Sequence, residues 1–323
     1  MRALSAPLKL ALDARVAPLL VMACGGGDHG PTTVPAVDPM ALAAQVQEAA
    51  LTDTITALEA LGTRYTMSDG DERARDYLTG RIAALGLTAE LDPFQVQAAT
   101  ANNIIVRHPG TGESTDVYIY SAHYDSTSNT PMTSAPGADD NATGVAAVLE
   151  AARVMTPHAY KHDIWFVFTA AEEQGSLGSK HMVGWLASQG INVKGVIAPD
   201  MIGYWPAGDE DKFDILGDPA SELLVNHMAD AATRLGVAHK KWIEHTFCYG
   251  DDHTNFQEAG FPAITPMDCV EAHNVAGSLE DTPHYHRASD TSATLYMPFT
   301  TKVAGVIVTT LAELAEPVET TRP

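Results

Sequence analysis

A single globular α/β domain, with a central mixed but mostly parallel sheet flanked by helices, is the fold this sequence predicts. Three observations predict it. Strand-like and helix-like segments alternate through the middle and end of the chain, the order that builds parallel sheets covered by helices. At 323 residues the chain has the length of one large α/β domain or two small ones, and 45% hydrophobic residues can fill a large core without disulfide staples. Between residues 39 and 316 no shift in composition marks a boundary that would split it.

The first 23 residues read as a signal peptide. Arg2 and Lys9 supply positive charge, and Val16 to Ala23 supply an apolar run too short to span a bilayer. The run ends in Val21-Met-Ala-Cys24 and is followed by three glycines, a pattern that resembles a bacterial lipoprotein cleavage site. Cys24 would then be lipidated and would be the sole membrane attachment, placing the chain in the bacterial cell envelope (periplasm or outer membrane). Plain secretion is the alternative. Residues 24–38, rich in Gly, Pro and Thr, read as a flexible tether.

From Pro39 to Leu85 the apolar spacing is helical, in Met40 to Val46 and again in Ala74 to Leu85, where Gly86 supplies a C-cap residue. Asn103 to Arg107 is a short apolar run. Asp116 to His123 is a strand, Ala142 to Arg153 a buried helix, Asp163 to Thr169 a strand, Ser179 to Ser188 a helix and Val193 to Pro199 a strand. Ser221 to Leu235 is helical, Phe261 to Thr265 extended and Pro298 to Leu314 a closing helix, followed by a tail over 317–323.

Lys+Arg number 19 against 41 Asp+Glu, a formal charge of -22, which disfavours nucleic acid and anionic membrane surfaces as partners. In an oxidising compartment Cys248 and Cys269 could pair.

The chemistry-bearing residues sit where such a sheet would place a site, at the carboxyl ends of strands. The first of the three central strands ends in Ser121-Ala-His123-Tyr-Asp125, and its following loop carries Asp139-Asp140-Asn141. The second ends in Glu172-Glu173, the third in Asp200, and late in the chain comes His284-Tyr-His286-Arg-Ala-Ser-Asp290. Singly, each has a bland explanation: a satisfied polar histidine, a solvated acid pair, or Asp and Asn capping a helix. Together they would crowd like charges into one crevice, which is costly unless cations neutralise them. Histidine with carboxylate and no cysteine suits Zn2+, with Mn2+ or Co2+ as alternatives, and the number of ligands exceeds what one catalytic zinc requires.

Five strings, His123-Tyr-Asp125-Ser, Pro136-Gly-Ala-Asp-Asp140-Asn-Ala-Thr-Gly, Ala171-Glu172-Glu173-Gln-Gly-Ser, Asp200-Met and His286-Arg-Ala-Ser-Asp-Thr, resemble in order those of the secreted bacterial leucyl aminopeptidases. That two-zinc exopeptidase family also contains glutamate carboxypeptidases and single-zinc glutaminyl cyclases. The resemblance, over about residues 95 to 315, implies the zinc-exopeptidase, phosphorylase/hydrolase-like fold and two Zn2+ per chain. It implies Asp140 as the bridging ligand, His123 and Asp200 completing one site, and Glu173 and His286 the other. Glu172 would be the general base, Asp125 would orient His123, and Tyr249 would lie near the substrate carbonyl, although the loop around Tyr249 is shorter than the family pattern. The implied activity is a metalloprotease that removes N-terminal residues from peptides or proteins, with a carboxypeptidase or dipeptidase on the same site as the alternative and glutaminyl cyclase a more distant one. Only the family register selects Asp140 over Asp139, and the spacing to Asp290 selects His286 over His284.

Overall fold

The computed structural model describes residues 32–205, 212–243, 251–268 and 282–322. Strand β1 (Thr32–Val34) is followed by helices α1 (Pro39–Ala43), α2 (Glu48–Glu59) and α3 (Asp69–Ala84). Strands β2 (Glu90–Val96), β3 (Ala99–His108) and β4 (Asp116–His123) precede α4 (Gly144–Met155), and β5 (Asp163–Thr169) leads through α5 (Leu177–Gln189) to β6 (Asn192–Ile197). Then come β7 (Lys212–Gly217), α6 (Glu222–Leu235), β8 (Ala238–Trp242), α7 (Asp252–Glu258), β9 (Ala263–Met267), α8 (Met297–Ala315) and β10 (Thr320–Arg322).

The main sheet has eight strands in the order β2-β3-β5-β4-β6-β9-β7-β8. Its centre is parallel, β5 to β4, β4 to β6 and β6 to β9, while β2, β3 and β7 enter antiparallel. The expected mixed sheet is therefore present, with its parallel part in the middle. Both faces are covered, so β5 reads Ile164-Trp-Phe-Val-Phe168 with every one of these side chains buried. The pleat divides them. Ile164, Phe166 and Phe168 join the larger core with residues of α2, α3, α4, α6 and α8, whereas Trp165 and Val167 join the smaller core with Met182 and Leu186 of α5 and Phe256 of α7.

Several elements differ from the sequence expectation. The stretch Met40 to Val46 is helical only to Ala43, and a new helix starts at Glu48. Strand β2 carries Pro93 and four other exposed or charged positions, Glu90, Leu91, Asp92 and Gln95, a composition tolerated at a sheet edge and unlike a central strand. Thr32–Val34, at the end of the expected tether, pairs antiparallel with Thr320–Arg322 in the expected tail. A ladder between opposite ends of the chain leaves no local periodicity to read. Gly86, with φ 76°, takes the left-handed conformation that ends α3.

Candidate metal centre

His123 is the last residue of β4, in register with Thr169 at the end of β5. Beyond β5 the chain turns at Ala171, and beyond β6 it turns at Met201, with φ of 57° and 56°. Such left-handed backbone is sparsely populated by non-glycine residues and often marks a functional site. Here it lies beside Glu172, Glu173 and Asp200, and His286 itself has φ 54°. Asp140 enters from the irregular turn Ala138–Thr143 that precedes α4.

These strand ends and loops bring five expected residues together as two triads, His123 with Asp140 and Asp200, and Asp140 with Glu173 and His286. His123 Nε2 lies 3.4 Å from Asp140 Oδ1 and 3.4 Å from Asp200 Oδ1. His286 Nε2 lies 3.3 Å from Asp140 Oδ2 and 3.1 Å from Glu173 Oε2. Asp140 thus presents one oxygen to each triad.

The charge balance is unfavourable without a cation. Burial pushes the Glu173 carboxyl up to about 7, with the Asp140 charge adding to the effect, and pushes Asp200 up to about 8. Burial would raise Asp140 as well, but the imidazoles of His123 and His286 outweigh it and hold that carboxyl below its usual range. His286 rises to about 10 because Asp140 and Glu173 overcome its own desolvation.

The donor atoms fit a metal. His123 Nε2, Glu173 Oε1 and Asp200 Oδ1 are buried and make no hydrogen bond among the described residues. Buried polar atoms are rarely left so. An imidazole nitrogen and carboxylate oxygens converging without thiolate form a donor set suited to zinc.

The surrounding residues hold this arrangement. Asp125 accepts from the backbone N–H groups of Glu172 at 3.1 Å and Glu173 at 3.2 Å, and lies 3.5 Å from His123 Nδ1. Glu172 belongs to neither triad, and its Oε1 accepts from Ser176 Oγ at 2.8 Å. Burial raises its carboxyl well above the ordinary range, a trend that His123 opposes and Asp252 reinforces. Asp139 turns aside and accepts from the N–H groups of Gly203 and Tyr204 at 2.9 and 3.0 Å. His284 lies 3.0 Å from Ser289 Oγ, outside the triads. His253 Nδ1 lies 2.9 Å from Asp251 Oδ2.

Two contributors carried no role in the sequence reading. Asp290 accepts from the backbone N–H groups of Asp139 at 2.9 Å and Asp140 at 3.1 Å, fixing the turn that delivers Asp140. Its place in the last motif was the available signal. Tyr285 stacks on the His286 ring at 3.8 Å between centroids, and its phenol is raised by burial and by Asp140, Asp200, Glu173 and Glu172. A tyrosine beside a ligand histidine has no spacing that distinguishes it from a surface aromatic. Tyr249, Cys24, Cys248 and Cys269 lie outside the described residues.

The profile of a family described as Peptidase family M28 matches residues 103–311. A "Probable zinc metalloprotease" of Pyrenophora teres f. teres is 28% identical over 319 residues, covering 81% of this chain and 65% of the relative, so this chain spans about two thirds of the relative's length. "Leucine aminopeptidase 1" of Arthroderma gypseum is 26% identical, covering 88% and 79% of the two chains. The crystal structure of Legionella pneumophila LapA aminopeptidase superposes with a TM-score of 0.74 at 23% identity, over 87% of this chain and 75% of that one, and so shares the fold.

Proposed function

This chain belongs to peptidase family M28, and on that premise we propose that it is an aminopeptidase that hydrolyses the first peptide bond of peptides or proteins. The observation that carries this reading is the pair of triads sharing Asp140. Asp140 would bridge two Zn2+ ions, with His123 and Asp200 on one and Glu173 and His286 on the other. Bound there, the two ions would supply the charge that acidifies a water and polarises a peptide carbonyl.

The chain's own residues supply the rest. Glu172 is the proton acceptor: Ser176 orients its carboxylate, and its raised proton affinity suits taking a proton from water and delivering it to the leaving amine. Asp125 holds His123 in orientation and, through two backbone N–H groups, holds the Glu172-Glu173 turn against it. Tyr285, kept protonated by burial and by the acids around it, is a donor suited to the carbonyl oxygen as negative charge develops there. Tyr249, to which the family resemblance gives that part, lies outside the described residues. Beyond the triads, Asp251 and Asp252 keep the ground near Glu172 acidic, an environment that favours a substrate's free α-ammonium over a free carboxylate.

Export by residues 1–23 and lipid attachment at Cys24 complete the proposal, supported by the N-terminal sequence pattern. Among the described residues no helix is long and apolar enough to cross a membrane.

The test is hydrolysis of a panel of aminoacyl chromogenic amides by the protein as isolated, after chelator treatment, and after zinc is restored. Activity on free-amine substrates that disappears with chelator and returns with zinc is the expected result. Two bound zincs per chain with activity only on substrates bearing a free carboxyl-terminus would replace this reading with a carboxypeptidase on the same residues.

A further inference from the structure

Arg64 lies between α2 and α3, before the residues that match the family, and it is completely buried. A guanidinium at such depth commonly pairs with a carboxylate. This one donates to three carbonyls instead: from Nε to Tyr124 O at 2.7 Å, from Nη1 to Pro136 O at 2.5 Å and from Nη2 to Gly137 O at 2.9 Å. Tyr124 stands between His123 and Asp125, and Pro136-Gly137 lead into Asp140. One side chain therefore ties together the two backbone segments that deliver His123 and Asp140.

The backbone around Arg64 makes the same connection. Arg64 N–H donates to Ser126 Oγ at 3.1 Å, and Ser126 Oγ donates to Ala135 O at 2.7 Å. Ala135 N–H donates to Gly62 O at 2.9 Å, and Thr66 Oγ1 donates to Asp125 Oδ2 at 3.2 Å. Packing leaves no slack. Gly137 has φ 55°, and a Cβ there would stand 2.8 Å from Arg64 Nη2. The cation also lies in the field of Asp290, Asp125, Asp140 and Glu173.

We propose that Arg64 is a positioning residue of the zinc centre: its three-way clamp sets the separation of His123 from Asp140 and thereby the affinity of the site for metal. This inference rests on the two-zinc reading above. A purely structural arginine would affect stability alone, so the decisive quantity is metal affinity in folded protein.

Zinc affinity is measured by competition with a chromogenic chelator for the wild type, Arg64→Lys and Ser126→Ala, with kcat and KM at saturating zinc. A lysine ammonium is a compact donor that cannot span three carbonyls lying in different directions. Arg64→Lys is expected to weaken zinc binding by about 10–100-fold, the usual effect of removing a group that orients metal ligands, and to lower kcat more than KM. Ser126→Ala keeps the cation and removes both hydrogen bonds of the Ser126 hydroxyl, to Arg64 N–H and to Ala135 O, and a several-fold loss of zinc affinity is expected with the fold intact. Wild-type zinc affinity in folded Arg64→Lys overturns the proposal. Should Arg64→Lys not fold, wild-type affinity in Ser126→Ala overturns it. A wild-type protein that binds no zinc overturns the two-zinc reading itself, and this inference with it.

Discussion

The carboxyl of Glu172 is the group on which the proposed chemistry turns, because it is buried beside the triads without belonging to either. Glu172→Gln keeps the size of the side chain and an oxygen that can accept from Ser176, and removes the proton acceptor. We expect kcat to fall by about 10²–10⁴-fold, the range for loss of a general base, while zinc content by elemental analysis stays at the wild-type value. An unchanged kcat would remove Glu172 from the mechanism. Tyr285→Phe separates a donor role from a packing role. The ring that stacks on His286 remains, and only the hydroxyl is lost. A fall in kcat of about 10²-fold with KM nearly unchanged is expected, as for deletion of one donor to a developing oxyanion. A change confined to KM would assign Tyr285 to substrate binding instead.

At the level of elements, the start of α4 determines how closely Asp140 approaches Asp200. Asn141 Nδ2 donates to Pro199 O at 2.9 Å, and Asn141 Oδ1 accepts from the Gly144 N–H at 3.0 Å. The helix is thereby stitched to the chain leaving β6. Gly144 is required by this contact, since a Cβ would lie 2.3 Å from Asn141 Oδ1 and 2.8 Å from Pro199 O. Gly144→Ala must push the helix and the strand end apart. We expect a destabilisation of about 1–3 kcal/mol, as for overpacking a close-packed interior, together with weaker zinc binding. Denaturant unfolding and chelator competition on the same variant check both parts, and a variant as stable as the wild type would show that α4 is free to shift.

For the whole molecule, the electrostatics make the metal-free fold sensitive to pH. Burial raises the Glu173 and Asp200 carboxyls to about 7 and about 8 in the folded chain, from their ordinary values of 4.5 and 3.8 when unfolded. Between those values the folded state binds the extra protons, so stability falls as pH rises through this window. His286, raised from 6.5 to about 10, acts in the same direction: its contribution is complete below 6.5 and is lost as pH rises toward 10. The Tm of chelator-stripped protein is therefore expected to drop between pH 5 and pH 8. Zinc replaces those protons at neutral pH, and a ligand at about a thousandfold excess over its Kd stabilises by roughly 4 kcal/mol. Adding zinc at pH 8 should raise Tm by several degrees and flatten the pH dependence. A Tm of the stripped protein that rises over this range would contradict the proposed charge arrangement.

Much of this molecule was determined by sequence alone, and the reason is that the relevant signals are local. The central strands Asp116–His123 and Asp163–Thr169 are apolar runs long enough to be read directly. The ligand-bearing residues follow strand ends, so finding the strands also located the candidate centre, and the acid-rich strings there marked its chemistry. Tertiary structure decided what depends on distance between remote segments. It turned Asp139 toward Gly203 and Tyr204 and left Asp140 facing both histidines, a choice that two adjacent aspartates do not disclose. It paired Thr32–Val34 with Thr320–Arg322, placed β2, with its Pro93, at the sheet edge, and buried Arg64 beneath the loops of His123 and Asp140. A lone arginine in a connecting turn carries no periodicity, and its part in the fold exists only once three carbonyls from two other segments have closed around it.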